Sequence, residues 1–139
     1  MTNFNKVVLK SFKTNKLNLF NIRKIAELKS KHYKFTINEQ IKWFKTNIKT
    51  NDIHNMLFFK TKLVGYNCLR KVRKINSNIS KDIILFDTLI VDPEFRKMGL
   101  SEKIMQKSNY LIKRNRSTGL LFCKKNMFKY YSKCKWNKQ

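Results

Sequence analysis

Glycine and proline are scarce here, three and one in 139 residues. No Ser-, Gly- or Pro-rich stretch divides the chain, so residues 1–139 are expected to form a single domain. Cysteine is equally sparse. Cys68, Cys123 and Cys134 are odd in number and contain no CxxC pair, with only His32 and His54 to join them. That pattern excludes a complete disulfide framework and a zinc constellation, so no metal is expected and reduced thiols in a cytoplasmic setting are. Long apolar runs are missing as well. The longest fall far short of the roughly 20 residues that a membrane span requires, and MTNFNKVVLK at the start has no apolar leader core.

Acidic side chains are the other shortage, 8 against 32 basic ones, which leaves a formal net charge of +24. Arginine accounts for only six of those cations (Arg23, Arg70, Arg73, Arg96, Arg114, Arg116); the remaining 26 are lysine, spread over nearly every segment. A surface built to grip phosphates favours arginine's planar fork and gathers it in one stripe. The charge therefore reads first as compositional bias with affinity for an anionic small molecule. A nucleic-acid or acidic-surface partner is the second reading.

What is present is a core. Hydrophobic residues make up 42% of the chain and eleven are Phe, enough to fold a domain of this length. Lys6 to Phe12 reads as a first strand. Apolar residues at Leu17, Phe20, Ile25, Leu28 and His32 then recur at helical spacing. Thr36 and Glu39 have the spacing of a capping box opening a second helix, with Ile41, Phe44 and Ile48 on one face and Trp43 beside them. Met56 to Phe59 and Leu63 to Val72 suggest two strands joined by a tight turn, and Asn76 to Asp82 a polar turn. Ile83 to Val91 is a near-continuous apolar run suited to a central strand. A helix over Gly99 to Lys113, a strand over Gly119 to Cys123 and a short helix over Asn126 to Lys133 complete the chain. The order β-α-α-β-β-β-α-β-α describes an α/β domain whose mixed sheet combines hairpins with one crossover.

The stretch from Leu89 to Ser101 carries the chemistry. A buried strand ends at Val91, Pro93 stops its pairing, and a glycine-containing turn feeds a helix starting near Leu100. Free N–H groups at a helix N-terminus, with the helix dipole behind them, form a phosphate cradle. Gly99 lets the backbone approach an anion, Ser101 is small and offers a hydroxyl, and Arg96 and Lys97 add charge at the mouth. A plain strand-to-helix turn has the same outline.

Arg96-Lys97-Met98-Gly99-Leu100-Ser101 resembles the Arg/Gln-x-x-Gly-x-Gly/Ala pyrophosphate motif of the GNAT acetyltransferase superfamily, and Val91 to Phe95 its usual lead-in. Tyr130 to Trp136 resembles the Phe-Tyr-Glu-Lys-x-Gly-Phe ending of that family, with Lys135 in place of the glycine, and Leu63 to Tyr66 resembles its third strand. The resemblance implies a GNAT-like fold whose closing C-terminal hairpin is short or absent, the sheet edge being a candidate for homodimer formation. It implies acetyl-CoA as acyl donor, bound by Leu89, Ile90 and Val91, by Arg96 to Ser101, and by Asn126 as a shifted counterpart of the family's asparagine. It implies direct acetyl transfer to an amine, with Tyr131 protonating the leaving thiolate.

The base is either a carboxylate or an ordered water. Asp87 shares a strand face with Leu89 and Val91 by simple alternation, and desolvation inside so apolar a strand would raise its pKa, which suits a base. A structural carboxylate paired with a lysine reads equally well. Tyr33, Trp43, Tyr66, Asn67 and Arg70 are acceptor-site candidates by location. His32 reads as a core histidine, and Trp43-Phe44 as core rather than a sugar platform. Glu39 to Phe44 is nevertheless similar to a helix of GNAT enzymes that acylate nucleotide-linked amino sugars. Three functions are thus in play: transfer to a small-molecule amine, transfer to a protein N-terminus or lysine, and nucleic-acid binding on a GNAT-like scaffold.

Overall fold

Asn18 and Thr36 decide where the first two helices begin. The computed structural model describes residues 6–76 and 79–137. In it the Asn18 side chain accepts the Asn21 amide at 2.8 Å and opens α1, Leu19–Ser30. Thr36 accepts the Glu39 amide at 3.1 Å while the Glu39 carboxylate accepts the Thr36 amide, so the expected capping box forms and opens α2, Ile37–Asn47. Each cap satisfies amides that the first helical turn leaves unpaired.

The strands are β1 (Val7–Lys13), β2 (Ile53–Phe59), β3 (Lys62–Asn76), β4 (Ile79–Val91) and β5 (Thr118–Leu121); α3 is Leu100–Arg114 and α4 Phe128–Lys133. They form one sheet in the order β1-β2-β3-β4-β5. The first four run antiparallel, whereas β5 lies parallel to β4 after the α3 crossover. The expected element order is therefore the observed one. The β3–β4 hairpin reaches further than expected, with pairing from Gly65↔Val91 to Asn76↔Ile79. Polar composition at its tip suggested a turn from Asn76 to Asp82, but the ladder is made by backbone groups and does not require apolar side chains. Ser77 and Asn78, in that expected turn, lie outside the described residues.

Helices cover both faces. On one, α1 and α2 bury Ile25, Leu28 and Phe44 against Met56, Leu63, Tyr66, Cys68 and Ile90. On the other, α3 lays Ile104, Met105 and Ile112 over Leu57, Leu69, Ile84 and Phe86, with Tyr131 and Trp136 packed alongside. Close approach of α3 explains Gly65, where a Cβ would stand 2.9 Å from Ile104 Cδ1. Phe20 departs from expectation. It lies five residues before Ile25, about 140° round the helix, and is 65% exposed with the Lys24 ammonium over its ring.

Two irregularities in β4 shape everything downstream. Cys68 faces Asp87 and Asn67 faces Leu89, which leaves Thr88 as an extra residue in a β-bulge with φ +62°. A left-handed threonine costs roughly 1–2 kcal/mol, so the packing on both sides must hold it there. Further, β4 continues to Val91 while its pairing with β5 ends at Phe86↔Leu121. Beyond Phe86 β5 has ended and residues 87–91 of β4 run on without a paired strand on that side among the described residues; this open edge is the wedge.

Candidate active site

The bulge re-sorts the strand. Because a strand alternates faces residue by residue, one extra residue flips everything beyond it. Ile84 and Phe86 pack with the α3-side cluster, as do Leu89 and Val91; Ile90 packs on the α1–α2 side, the side of Cys68, opposite which Asp87 sits. The expected common face of Asp87, Leu89 and Val91 is thereby overturned. Nor is Asp87 an isolated desolvated acid: its side chain is 29% exposed, and Arg70 Nη1 lies 3.3 Å from its Oδ2. The carboxylate does have a cationic partner, an arginine where the structural reading expected a lysine.

At the end of β4, Asp92 ties down the turn into α3. Its carboxylate is buried, accepts the Glu94 amide at 3.0 Å and the Lys31 ammonium at 2.6 Å, and its own amide donates to the Val64 carbonyl. Burial works to raise its pKa, but the Lys31 bond, the Glu94 amide and the nearby Lys62 outweigh it and leave the pKa below the usual value. Lys97 and Gly99 both take left-handed conformations, φ +64° and +72°, and Gly99 caps α3 without any side-chain bond. The amides of Gly99, Leu100 and Ser101 find no protein acceptor among the described residues. The result is an uncapped helix N-terminus in a coiled loop, the arrangement that favours an anion.

Arg96 leans across this mouth. It is exposed, with Nη2 3.0 Å from His32 Nδ1 and Nε 3.4 Å from the Val91 carbonyl, to which His32 Nε2 also bonds at 3.1 Å. Since Arg96 only donates, His32 Nδ1 must accept and Nε2 must carry the proton. Burial depresses the His32 pKa, and Arg96 and Lys31 push the same way, partly offset by the Val91 carbonyl and Asp92. His32 is therefore not a core histidine; it lies beyond the end of α1 and binds the strand that ends the wedge. Met98 is exposed and Leu100 buried. Asn126 is exposed in the turn Lys125–Met127.

Tyrosines flank the wedge. Tyr131, on α4, packs edge-on against Phe86 and is half-buried; burial, chiefly, pushes its pKa up to about 12, with Tyr33 among the nearby groups that add to it. Tyr131 packs on the α3 side of the sheet, and Tyr33 lines the groove on the α1–α2 side. Tyr130, which the sequence did not single out, donates from its hydroxyl to Ser101 Oγ at 2.7 Å and fastens α4 to the first turn of α3. The signal was available: adjacent residues on a helix point about 100° apart, so a Tyr-Tyr pair serves two different neighbours.

On the α1–α2 side an open groove of about 630 Å³ gathers Lys29, Tyr33, Glu39, Trp43, Asp87 and Thr88. Trp43 is 37% exposed, and two cations lie against its ring, Lys29 Nζ at 4.5 Å and Arg70 at 5.5 Å. Of the acceptor candidates, Tyr33, Trp43 and, through Asp87, Arg70 meet here. Tyr66 and Asn67 do not. Tyr66 is buried with its hydroxyl 2.7 Å from His54 Nδ1, and Asn67 is wholly buried under α3, bonded to Asn55 and Ser108.

No family model matches this sequence, and no curated protein does either. Solved structures match its shape. An acetyltransferase from Trypanosoma brucei superposes with a TM-score of 0.74 at 13% identity, covering 96% of this chain and 94% of its own. Glucosamine-6-phosphate N-acetyltransferase from Arabidopsis thaliana gives 0.67 at 16% identity, covering 95% and 93%. An aminoglycoside N-acetyltransferase solved in complex with CoA gives 0.74 at 8% identity, covering 95% and 88%. The chain has the GNAT acetyltransferase fold.

Proposed function

We propose that this protein is an acetyl-CoA-dependent N-acetyltransferase that acts on a small primary amine. The observation that carries the reading is the wedge. The end of β4 runs on past its last pair with β5, beside a bulge and ahead of an uncapped helix N-terminus with Arg96 in the loop before it. The CoA complex of a protein with the same fold supports acetyl-CoA as donor.

Bound acetyl-CoA supplies an activated thioester acyl group. The amides of Gly99, Leu100 and Ser101 hold the pyrophosphate with Arg96, which exchanges its bonds to His32 and Val91 for phosphate oxygens. The backbone of Leu89 to Val91 lines the open side of the wedge and polarises the thioester carbonyl. The acceptor amine enters from the α1–α2 groove and passes its proton to Asp87 or to a water that Asp87 holds. Nitrogen bonds to the acyl carbon, the carbon–sulfur bond breaks, and Tyr131, protonated across the neutral range, delivers a proton to the departing thiolate. Glucosamine 6-phosphate and aminoglycoside neighbours act on amino sugars, so nucleotide-linked and phosphorylated amino sugars are the first acceptors to screen.

Calorimetric titration with acetyl-CoA and with free CoA tests the cradle. Wild type is expected to bind both at micromolar concentration. Replacing Arg96→Ala together with Gly99→Trp removes a charge-assisted contact and fills the loop. It is expected to weaken binding 100-fold or more, in line with roughly 1.5–3 kcal/mol per such bond. Tyr131→Phe and Asp87→Asn are expected to bind like wild type while losing transfer. A well-folded wild type that binds neither ligand would leave the motif a structural turn.

A further inference from the structure

Lys29 is the group that the proposed reaction leaves unused. It projects from α1 beneath the α1–α2 groove and is only 8% exposed, yet its ammonium has no hydrogen bond or ion pair among the described residues. The Trp43 ring lies 4.5 Å from it. The carboxylate nearest in kind, Asp87, is held by Arg70 from β3 and by the Thr88 hydroxyl. An ammonium carries three donors; since no described side-chain nitrogen is both buried and unpaired, those of Lys29 open on the groove, where an arriving anion can meet them. Burial accordingly drives its pKa down, against the pull of Asp87 and Cys68, with Arg70 adding to the depression.

The groove in front of Lys29 also contains Lys42 and Glu39 from α2, and Asp87 with Arg70 behind it. It therefore sets two cations, Lys29 and Lys42, against Glu39 and an Asp87 already engaged by Arg70. A neutral amine would find nothing there for Lys29. An amine that also carries a phosphate or a carboxylate would complete both sites at once, its anion on Lys29 and its amine toward Asp87. We infer that Lys29 is a specificity-determining residue that selects acceptor amines bearing an anionic group, held against Trp43 in this groove. The inference rests on the acetyltransferase reading for its role, but its test needs no acyl donor.

Trp43 reports the groove, and Trp136, whose indole donates to Asn109 at 3.0 Å on the other side of the sheet, is a built-in control. Two-dimensional NMR of labelled protein follows both indole N–H signals during titration with O-phosphoethanolamine, β-alanine and ethanolamine. The expected result is saturable movement of the Trp43 signal alone, with at least one of the two anionic probes binding tenfold or more tighter than ethanolamine. Preference for phosphoethanolamine identifies a phosphate site, and preference for β-alanine a carboxylate site. Lys29→Met keeps an aliphatic stem over Trp43 and is expected to erase the preference, whereas Lys42→Met on the exposed rim leaves most of it.

Equal binding of charged and neutral probes to wild type overturns the inference, even if Lys29→Met fails to fold. So does a preference that survives in folded Lys29→Met, which would make Lys29 a structural cover for Trp43, and so does a Trp43 signal that no probe moves. Failure of the acetyltransferase reading shows separately, as absent acetyl-CoA binding by calorimetry, whatever Trp43 reports.

Discussion

Acidification from pH 7 to pH 4 is expected to cost this fold about 3 kcal/mol through one side chain, His54. It is wholly buried between Thr14 and Tyr66, whose hydroxyls lie 2.8 Å and 2.7 Å from its two ring nitrogens. Burial, with Lys29 nearby, lowers its pKa from 6.5 to about 4. The unfolded chain takes up the proton near pH 6.5, and the folded chain refuses it until about pH 4. The stabilisation is therefore complete above pH 6.5 and is lost as pH falls through that window. Each unit of the gap is worth about 1.4 kcal/mol. His32 works in the same direction with a smaller share, being half-buried. Urea unfolding at a series of pH values checks this, with His54→Gln beside wild type. Wild-type stability should fall more steeply between pH 6.5 and 4, and parallel curves would remove His54 as the cause.

Ser108→Ala is expected to lower stability by about 2 kcal/mol although it removes only the hydroxyl oxygen. Ser108 Oγ accepts from Asn67 Nδ2 at 3.0 Å and from Asn55 Nδ2 at 3.3 Å, and donates to the Ile104 carbonyl at 2.8 Å. All three side chains are fully buried, and Ser11 completes the set by donating to Asn55 at 2.5 Å. Without the hydroxyl the Asn67 amide is left unpaired, and an orphaned buried donor costs about 1–3 kcal/mol. Asn67 also stands opposite the Thr88 bulge, so the same variant should loosen the wedge and weaken acetyl-CoA binding. Chemical denaturation measures the first effect and calorimetry the second. A stability loss under about 0.5 kcal/mol would mean that water replaces the hydroxyl and the network is not needed.

Where the chain announced its structure, it did so through backbone requirements. Gly99 needs a left-handed conformation, Thr36 and Glu39 cap a helix at fixed spacing, and β4 is apolar enough to sit inside a sheet. Those features carried the element order and the uncapped turn into α3, whereas Tyr131 was singled out by the resemblance of Tyr130 to Trp136 to a family ending. Thr88 gave no such signal, because a β-branched residue is among the least suited to φ +62°. Packing alone imposes the bulge, and with it the face of Asp87 changed. Tyr66 and Asn67 were misplaced for a related reason. A polar residue in a buried strand serves a pocket or an internal network, and only three-dimensional neighbours such as His54 and Ser108 decide which. Lys29 was hidden among 26 lysines until burial separated it from the rest.

The short β5 ladder sets the order in which the molecule comes apart. β2, β3 and β4 follow one another in the chain and pair over long registers, whereas β5 holds β4 through Ile83↔Thr118 to Phe86↔Leu121. Parallel pairing that waits on a whole crossover forms late and opens early. Amides of Thr118–Leu121 should therefore exchange with solvent well before those of β2 and β3. The unit that detaches carries Tyr131 with it. A ligand seated between β4 and β5 would act as a staple, adding about 2.7 kcal/mol at a hundredfold excess over its dissociation constant. The C-terminal segment that carries the proposed acid, Tyr131, is then the one whose stability depends most on a bound ligand.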